Sequence, residues 1–541
     1  MRLTVEDDAT GIRSDVHVHC APSHQVGDVV AAIGAALPVH GTPVVDGAPL
    51  PLDGPVAGSP LREGCVLRYG RPPGQVPPPE PPLVLRVVSG PAAGTELPLV
   101  PGSTVVVGRA PSCRLVLDDP DVSRRHAQLV VGPRRVTIAD LGSRNGVQVD
   151  GHPVAGDADV HGKVIQIGGS RMVVQAPGEG AATVERGERG EVLFHRTPWS
   201  RPAAHVPPTV ALPARPVADE RGWWAAGRRR RQHAEQAHRS AVTAARALVE
   251  AAADDEDAAL RAAWPDPTTT VRTALTPRTA LWARRPSDDD WLAVRLGRAD
   301  RPAGVRVTGE PPSDWLPPVL RLAPVGVSLL ERPVLGLTGP PDRVDGLLAW
   351  VVTQLAVHHG PDELRLVVVA PDAGEEQLGW VRWLPHLRAG DGTVRAAWDG
   401  AVPDFLDAQL RGSGPERRPD LVVVLAGTAG LDPRLTALLQ HASAAGLRFV
   451  CAETDERLLP ESARTRLVAT AGGDAVLHVD GGRFPVVDDA VEPATAELVA
   501  RALAPVHPAD AAPPPWPPAP DAGPRAVAVP WFDVAAYDRR P

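Results

Sequence analysis

The chain has 541 residues, 43% of them apolar and a formal net charge of −9. That is length for three or four domains and enough apolar material for their cores, with a charge that argues against a general nucleic-acid surface. No stretch reaches about 18 uninterrupted apolar residues and no basic, apolar, small-residue leader opens the chain, so the expectation is a soluble protein with no membrane span. The four cysteines, Cys20, Cys65, Cys113 and Cys451, have neither metal-ligand spacing nor disulfide-scaffold density, so reduced thiols and no metal site are expected. Lys163 is the one lysine; chemistry that needs a lysine elsewhere is excluded.

In chain order, residues 1–72 alternate short apolar runs (MRLTV, VHVHC, CVLRY) with one helical stretch at 26–37 and a turn at Asp46-Gly47. Strand, strand, helix, strand, strand is the order of a ubiquitin-like β-grasp fold, and the segment resembles the small ubiquitin-like domains of type VII secretion proteins. No diglycine follows it, so a docking module is expected rather than conjugation.

After a proline-rich spacer at 72–82, the apolar runs at 104–107, 114–117, 127–131 and 135–139 have the length and β-branched content of sandwich strands. Between them lie three polar clusters: Gly108-Arg109, SRRHA at 123–127 and LGSRNG at 141–146. These fall in loops, where a rigid all-β scaffold tends to carry its binding residues. Arg109, Arg124 and Arg144 offer guanidinium donors, while Ser123 and Asn145 offer neutral ones. Such a set suits a phosphate group, which on a phosphorylated side chain carries about −1.5 to −2 charges and three acceptor oxygens.

The order and spacing of these clusters resemble the forkhead-associated (FHA) domain, a phosphothreonine-peptide reader, over residues 83–178. The resemblance implies that Arg109 and Ser123 hold the phosphate and that Arg124 faces the ligand. It also implies that Asn145, with Arg144 beside it, orients the peptide backbone. Gly108, His126 and Gly146 take structural roles in the loops. The expected partner is therefore a threonine-phosphorylated protein, the substrate of a Ser/Thr kinase.

A second proline-rich linker is expected over 179–226, then a long helix over 227–264 opening with the basic run Arg228 to Arg231. That run reads either as a solvated face or as a contact for acidic lipid or protein. From 265 to 505 apolar strands alternate with amphipathic helices, the rhythm of an α/β domain with a largely parallel sheet, and a proline-rich tail closes 506–541. His358-His359, with no companion ligands at metal spacing, reads as a surface pair. The acidic clusters at 254–257 and 288–290 read as a solvated helix face and a helix cap.

Gly336-Leu337-Thr338-Gly339 follows an apolar strand and precedes a helix, where a phosphate-binding P-loop would sit. That loop needs glycine amides, then a lysine and a hydroxyl. Here Pro340 and Pro341 remove two amide donors and Asp342 stands in place of the lysine. The strand at 421–424 runs into Leu425, Ala426 and Gly427 rather than a magnesium-binding carboxylate. The motif at Gly336, Gly339 and Asp342 thus reads as a degenerate P-loop that binds no nucleotide, and no cofactor is expected.

The basic helix, WPDP at 264–267, LWARRPSDDDWLAVRLG at 281–297, DELRLVVVA at 362–370 and WLPHL at 383–387 resemble the stretch ahead of the active motors in FtsK/SpoIIIE-type ATPases of type VII secretion systems. Two features of that family, a transmembrane pair near 216–227 and motor modules beyond 505, are not found, so membrane insertion and motor activity do not carry over. The expected function is a non-enzymatic phosphothreonine-binding adaptor of a type VII secretion or FtsK/SpoIIIE-like translocase assembly. It would be cytosolic, with contact to the inner membrane face left open. The alternative is a truncated or split subunit of such an ATPase whose motor modules lie elsewhere.

Overall fold

The structure, a computed structural model, describes residues 1–70, 83–89, 92, 95–117, 119–132, 135–160, 162–175, 184–187, 191–196, 206–215, 225–275, 280–312, 315–370, 378–387, 406, 419–427, 433–442, 446–472, 474–509 and 525–528. In the N-terminal unit β1 (Arg2–Asp7) and β2 (Ile12–His19) form an antiparallel hairpin, followed by α1 (Val26–Ala36), β3 (Thr42–Val45), β4 (Ala48–Pro49) and β5 (Val66–Gly70). β5 returns parallel to β1 and antiparallel to β3. The β3–β4 turn holds Asp46 at φ 51° and Gly47 at φ 78°, the positive pair that a type I′ hairpin requires. Leu3, Val5, Val16 and Val18 close against Val26, Val29 and Ile33 of α1.

The second unit is a sandwich of two sheets. Its strands are β6 (Leu83–Ser89), β7 (Glu96–Leu99), β8 (Thr104–Gly108), β9 (Leu115–Val116), β10 (Ala127–Val131) and β11 (Val136–Asp140), followed by β12 (Val147–Val149), β13 (His152–Pro153), β14 (Ala158–Asp159), β15 (Val164–Ile167) and β16 (Ser170–Gln175). One sheet runs β14-β11-β10-β8-β9 and the other β13-β12-β15-β16-β6-β7. Alternate residues such as Val105, Val107, Leu129, Ile138, Ile165 and Met172 point between them into one apolar core.

The residues expected as linker carry short strands, β17 (Val184–Arg186), β18 (Val192–Phe194) and β19 (Thr209–Ala211). A 39-residue helix, α2 (Ala225–Ala263), begins two residues earlier than expected. Its buried stripe Ala245, Val249, Ala252 and Ala253, at helical spacing, is joined by Glu256. Glu256 accepts from the Gly304 amide at 2.6 Å, so the 254–257 cluster is not wholly a solvated face. α3 (Pro267–Leu275) follows.

Among the described residues the C-terminal half centres on nine strands: β20 (Ala293–Pro302), β22 (Val319–Ser328), β23 (Val334–Thr338), β24 (Leu364–Val369), β25 (Asp420–Ala426), β26 (Leu447–Glu453), β27 (Thr465–Ala469), β28 (Asp474–Val479) and β29 (Gly482–Asp488); β21 (Arg306–Thr308) pairs separately with β19. The order is β22-β20-β29-β28-β27-β23-β26-β25-β24. The stretch from β27 to β24 is parallel, as the buried apolar runs of β23 and β25 suggest, and the remainder is antiparallel. Covering helices are α4 (Pro341–His358), α5 (Pro433–Gln440) and α6 (Pro493–Leu503). β18 pairs in parallel with β30 (Val506–Pro508), so part of the expected linker and of the expected tail closes together.

Three local expectations change. His358 and His359 are 5% and 0% exposed, because the turn at 281–292 folds over the end of α4. There His359 Nε2 accepts from the Leu292 amide at 3.1 Å and its Nδ1–H donates to the Leu355 carbonyl. The acids at 288–290 cap no helix: Asp288 accepts from the Arg285 amide within that turn and Asp290 pairs with Arg284. The sheet is mixed where a largely parallel one was expected.

Side chains join the units. Arg501 of α6 donates to Thr4 Oγ1 at 2.8 Å and to the Gly64 carbonyl at 3.1 Å while lying 4.3 Å from the Trp383 ring centroid. On the sandwich, the Val87 carbonyl accepts from Thr268 Oγ1 at 2.7 Å and Arg86 pairs with Asp266 at 3.2 Å. A last strand, β31 (Arg525–Ala528), lies antiparallel on β2.

Candidate functional site

Three loops at one end of the sandwich are bound to one another through Ser123. The Arg109 amide donates to the Ser123 carbonyl at 3.0 Å, and the Arg144 amide donates to Ser123 Oγ at 3.1 Å. The hydroxyl therefore accepts one bond from the protein, and among the described residues its O–H has no hydrogen-bond acceptor. The Ala110 amide and Cys113 Sγ–H both donate to the Arg124 carbonyl, at 3.0 and 3.2 Å. Gly108 is required by this approach: a Cβ there would stand 2.4 Å from that same carbonyl oxygen.

His126 is fully buried beneath the loops. Its Nδ1 accepts from the Ser123 amide at 3.0 Å, which places the proton on Nε2, and Nε2–H donates to the Gly146 carbonyl at 3.0 Å. One neutral imidazole thus joins the 123–126 turn to the 141–146 turn. Gly146 itself has φ 75°. Asn145 Nδ2 donates to the Asp121 carbonyl at 2.9 Å, leaving its side-chain oxygen and one amide hydrogen unused by that bond.

Two groups escaped the sequence reading. Asp140 receives the Ser143 amide at 2.6 Å and the Ser143 hydroxyl at 2.8 Å, and Ser143 Oγ in turn accepts from the Gly146 amide at 2.9 Å. Burial alone would raise the Asp140 carboxyl, but the Ser143 and Gly142 donors hold it below its ordinary value. The signal was present as Asp-x-x-Ser, the spacing at which an aspartate caps a turn. Asp119, which is buried, takes the Asp121 amide at 2.9 Å, the Gly169 amide at 2.9 Å and the Ser170 hydroxyl at 3.1 Å, tying the loop ahead of Ser123 to the β15–β16 turn.

Arg109, Arg124, Arg144 and Asn145 are exposed and Ser123 is half-buried. Among the described residues no carboxylate forms an ion pair with Arg109, Arg124 or Arg144, although guanidinium groups elsewhere in the molecule are paired repeatedly. Backbone and histidine bonds thus fix where these residues leave the chain, and the side chains of Arg109, Arg124 and Arg144 are exposed to solvent.

Residues 86–178 match the family described as the inner membrane component of the type III secretion system, cytoplasmic domain. The glycogen accumulation regulator GarA of Mycolicibacterium smegmatis is 38% identical over 90 residues, covering 17% of this chain and 56% of that protein. Residues 86–178 are an FHA-type domain. Among solved structures, the FHA domain of a Chlamydia trachomatis protein is 31% identical, covers 18% of this chain and 98% of that one, and superposes with a TM-score of 0.17 over the whole chain.

The chain is also similar to secretion proteins. ESX-4 secretion system protein EccC4 of Mycobacterium tuberculosis is 32% identical over 147 residues, covering 24% of this chain. ESX secretion system protein EccC of Thermomonospora curvata is 29% identical over 275 residues, covering 43% of it. The chain spans 12% and 20% of the length of these two relatives.

The other sequence-predicted site lies in the C-terminal half, apart from the FHA-type loops. Only Gly339 and Pro340 separate the end of β23 from the start of α4. Gly336 is buried within β23, and a Cβ on Gly339 would stand 2.8 Å from the Ala469 carbonyl oxygen, so this glycine serves strand packing. Asp342 occupies the first turn of α4, where its charge complements the helix dipole. The neighbouring Arg343 is engaged by Asp488 of β29. Among the described residues no helix is long and apolar enough to cross a membrane.

Proposed function

We propose that the chain is a phosphothreonine-peptide-binding adaptor of a type VII secretion or FtsK/SpoIIIE-like translocase assembly. The observation that carries this reading is the joining of three loops at Ser123, with Arg109, Arg124 and Arg144 exposed and without acidic partners among the described residues. In this reading Arg109 and the Ser123 hydroxyl bind the phosphate, Arg124 and Arg144 add charge, and Asn145 meets the peptide backbone. Gly108, His126 and Gly146 hold the loops. Two or three charge-assisted bonds of about 1.5–3 kcal/mol each are enough for a weak to moderate peptide affinity. The partner is a protein phosphorylated on threonine, and the similarity to EccC proteins supports the secretion setting.

The other units take non-catalytic roles in the same reading. Residues 1–72 are a ubiquitin-like β-grasp docking module, supported by the two hairpins, the single helix and the parallel return of β5 to β1. Residues 265–505 are an ATPase-like domain with a degenerate P-loop. A two-residue junction with a proline at the helix start offers too few amides to wrap a triphosphate, and Asp342 and Asp345 on the first turns of α4 repel one.

The test is capture of a phosphothreonine-peptide library by the full chain and by its Arg109→Ala and Ser123→Ala variants. The reading requires phosphorylated peptides to be enriched and the enrichment to be lost in both variants. Equal capture of unphosphorylated peptides removes it.

A further inference from the structure

We propose that β2 is a strand-accepting edge occupied by the chain's own residues 525–528, which latch the N-terminal unit by backbone pairing. The hairpin uses one side of β2: the Met1 ammonium donates to the Val18 carbonyl at 2.8 Å, and the Val18 amide donates to the Met1 carbonyl at 2.8 Å. Backbone groups of a strand alternate sides, so the amides and carbonyls of His17 and His19 face away from β1. Left open, that row is an edge able to template another strand.

Residues 525–528 lie on this side of β2, antiparallel, with His17 opposite Val527 and His19 opposite Arg525. The two residues of β2 whose backbone groups point outward are thus matched, and α1 runs alongside the added strand. The sequence of the tail permits this register. Proline cannot donate to a ladder, and the two residues whose amides face β2, Arg525 and Val527, fall in the proline-free window 525–529 (RAVAV), which lies between Pro524 and Pro530 and is preceded by PPPWPPAP at 513–520. The observed strand falls inside that window.

The tether can reach. Sixteen residues, 509–524, join the end of β30 to β31; a chain of that length, at about 3.1 Å per residue, can reach roughly 50 Å. α6, just before β30, is already bonded to the N-terminal unit through Arg501. An intramolecular strand on such a tether acts at an effective concentration on the order of millimolar, which makes a four-residue pairing persist.

Amide hydrogen exchange on the full chain, resolved to single residues across 12–19, tests the latch. In the unmodified protein the His17 and His19 amides exchange at least tenfold more slowly than in Val527→Pro, which removes the donor facing His17. Ala526→Pro, whose amide points away from β2, keeps them slow, and the Val16 and Val18 amides are unchanged in both variants. A synthetic peptide of residues 523–530 added to Val527→Pro slows His17 and His19 again. Fast exchange in the unmodified chain overturns the proposal. So does exchange that stays slow in Val527→Pro, the result expected if a second copy or another segment covers β2, or loss of protection that spreads to Val16 and Val18.

Discussion

The loops around Ser123 and the junction between β23 and α4 both sit where strands hand over to turns, and both contain glycines in positions that suggest an anion site. They differ in what the glycines do. Gly108 lets the Arg124 carbonyl approach and thereby sets two arginine-bearing loops side by side. Gly339 instead lets the Ala469 carbonyl approach, and prolines and Asp342 follow it. A strand–turn–helix outline is therefore a poor guide to phosphate binding by itself; the supply of amide donors and the sign of the nearby charge decide it.

The two regions also use histidine differently, which yields the largest expected effects. His126→Ala removes a fully buried ring and both of its bonds, and should destabilise the FHA-type domain by about 4 kcal/mol in chemical denaturation. Phosphopeptide affinity should fall with it while the C-terminal half keeps its own transition.

In the C-terminal half His386 is buried, with Nε2–H donating to the His359 carbonyl at 2.8 Å, and burial pushes its pKa down to about 4. Its ordinary value is near 6.5. Between those values the unfolded chain takes up a proton that the folded one refuses. Stability is thus complete above about pH 6.5 and falls as the pH drops toward 4, by a total on the order of 3 kcal/mol. His358, also lowered by burial, adds in the same direction. Denaturation midpoints between pH 7 and 4.5 should show this slope, and His386→Gln should flatten it.

Arg109→Ala should weaken a phosphothreonine peptide about 100-fold, near 2.7 kcal/mol, without shifting the denaturation midpoint, because the side chain is exposed. Raising the salt concentration should weaken the unmodified protein in the same direction. The smallest expected effect is at the junction: Asp342→Asn should leave magnesium-ATP binding at background in a fluorescent-nucleotide titration, since the missing amides are not restored. Binding in the unmodified chain would remove the contrast between the two regions.

Much of the FHA-type domain was legible because its strands are short β-branched runs set off by polar clusters, and loop residues must sit between them. Ser123, Arg124, Arg109, Arg144 and Asn145 read as one candidate set because the same clusters carry them. Asp140 and Asp119 were missed because turn-bracing carboxylates look like any solvated acid until their donors are placed. The burial of His358 and His359 was hidden because helical periodicity does not reveal that the 281–292 turn closes over the helix end. The pairings of β18 with β30 and of β2 with β31 were illegible for a plainer reason. Three- and four-residue strands carry no periodic signal, and their partners lie hundreds of residues away.

The account rests on discrimination between a phosphorylated and a bare threonine, and calorimetric titration of the full chain with one peptide in both forms measures that directly. The phosphothreonine form should bind at least 100-fold more tightly than its unphosphorylated twin. Equal affinity for the two forms would contradict the assignment of Arg109 and Ser123 as the phosphate-binding pair.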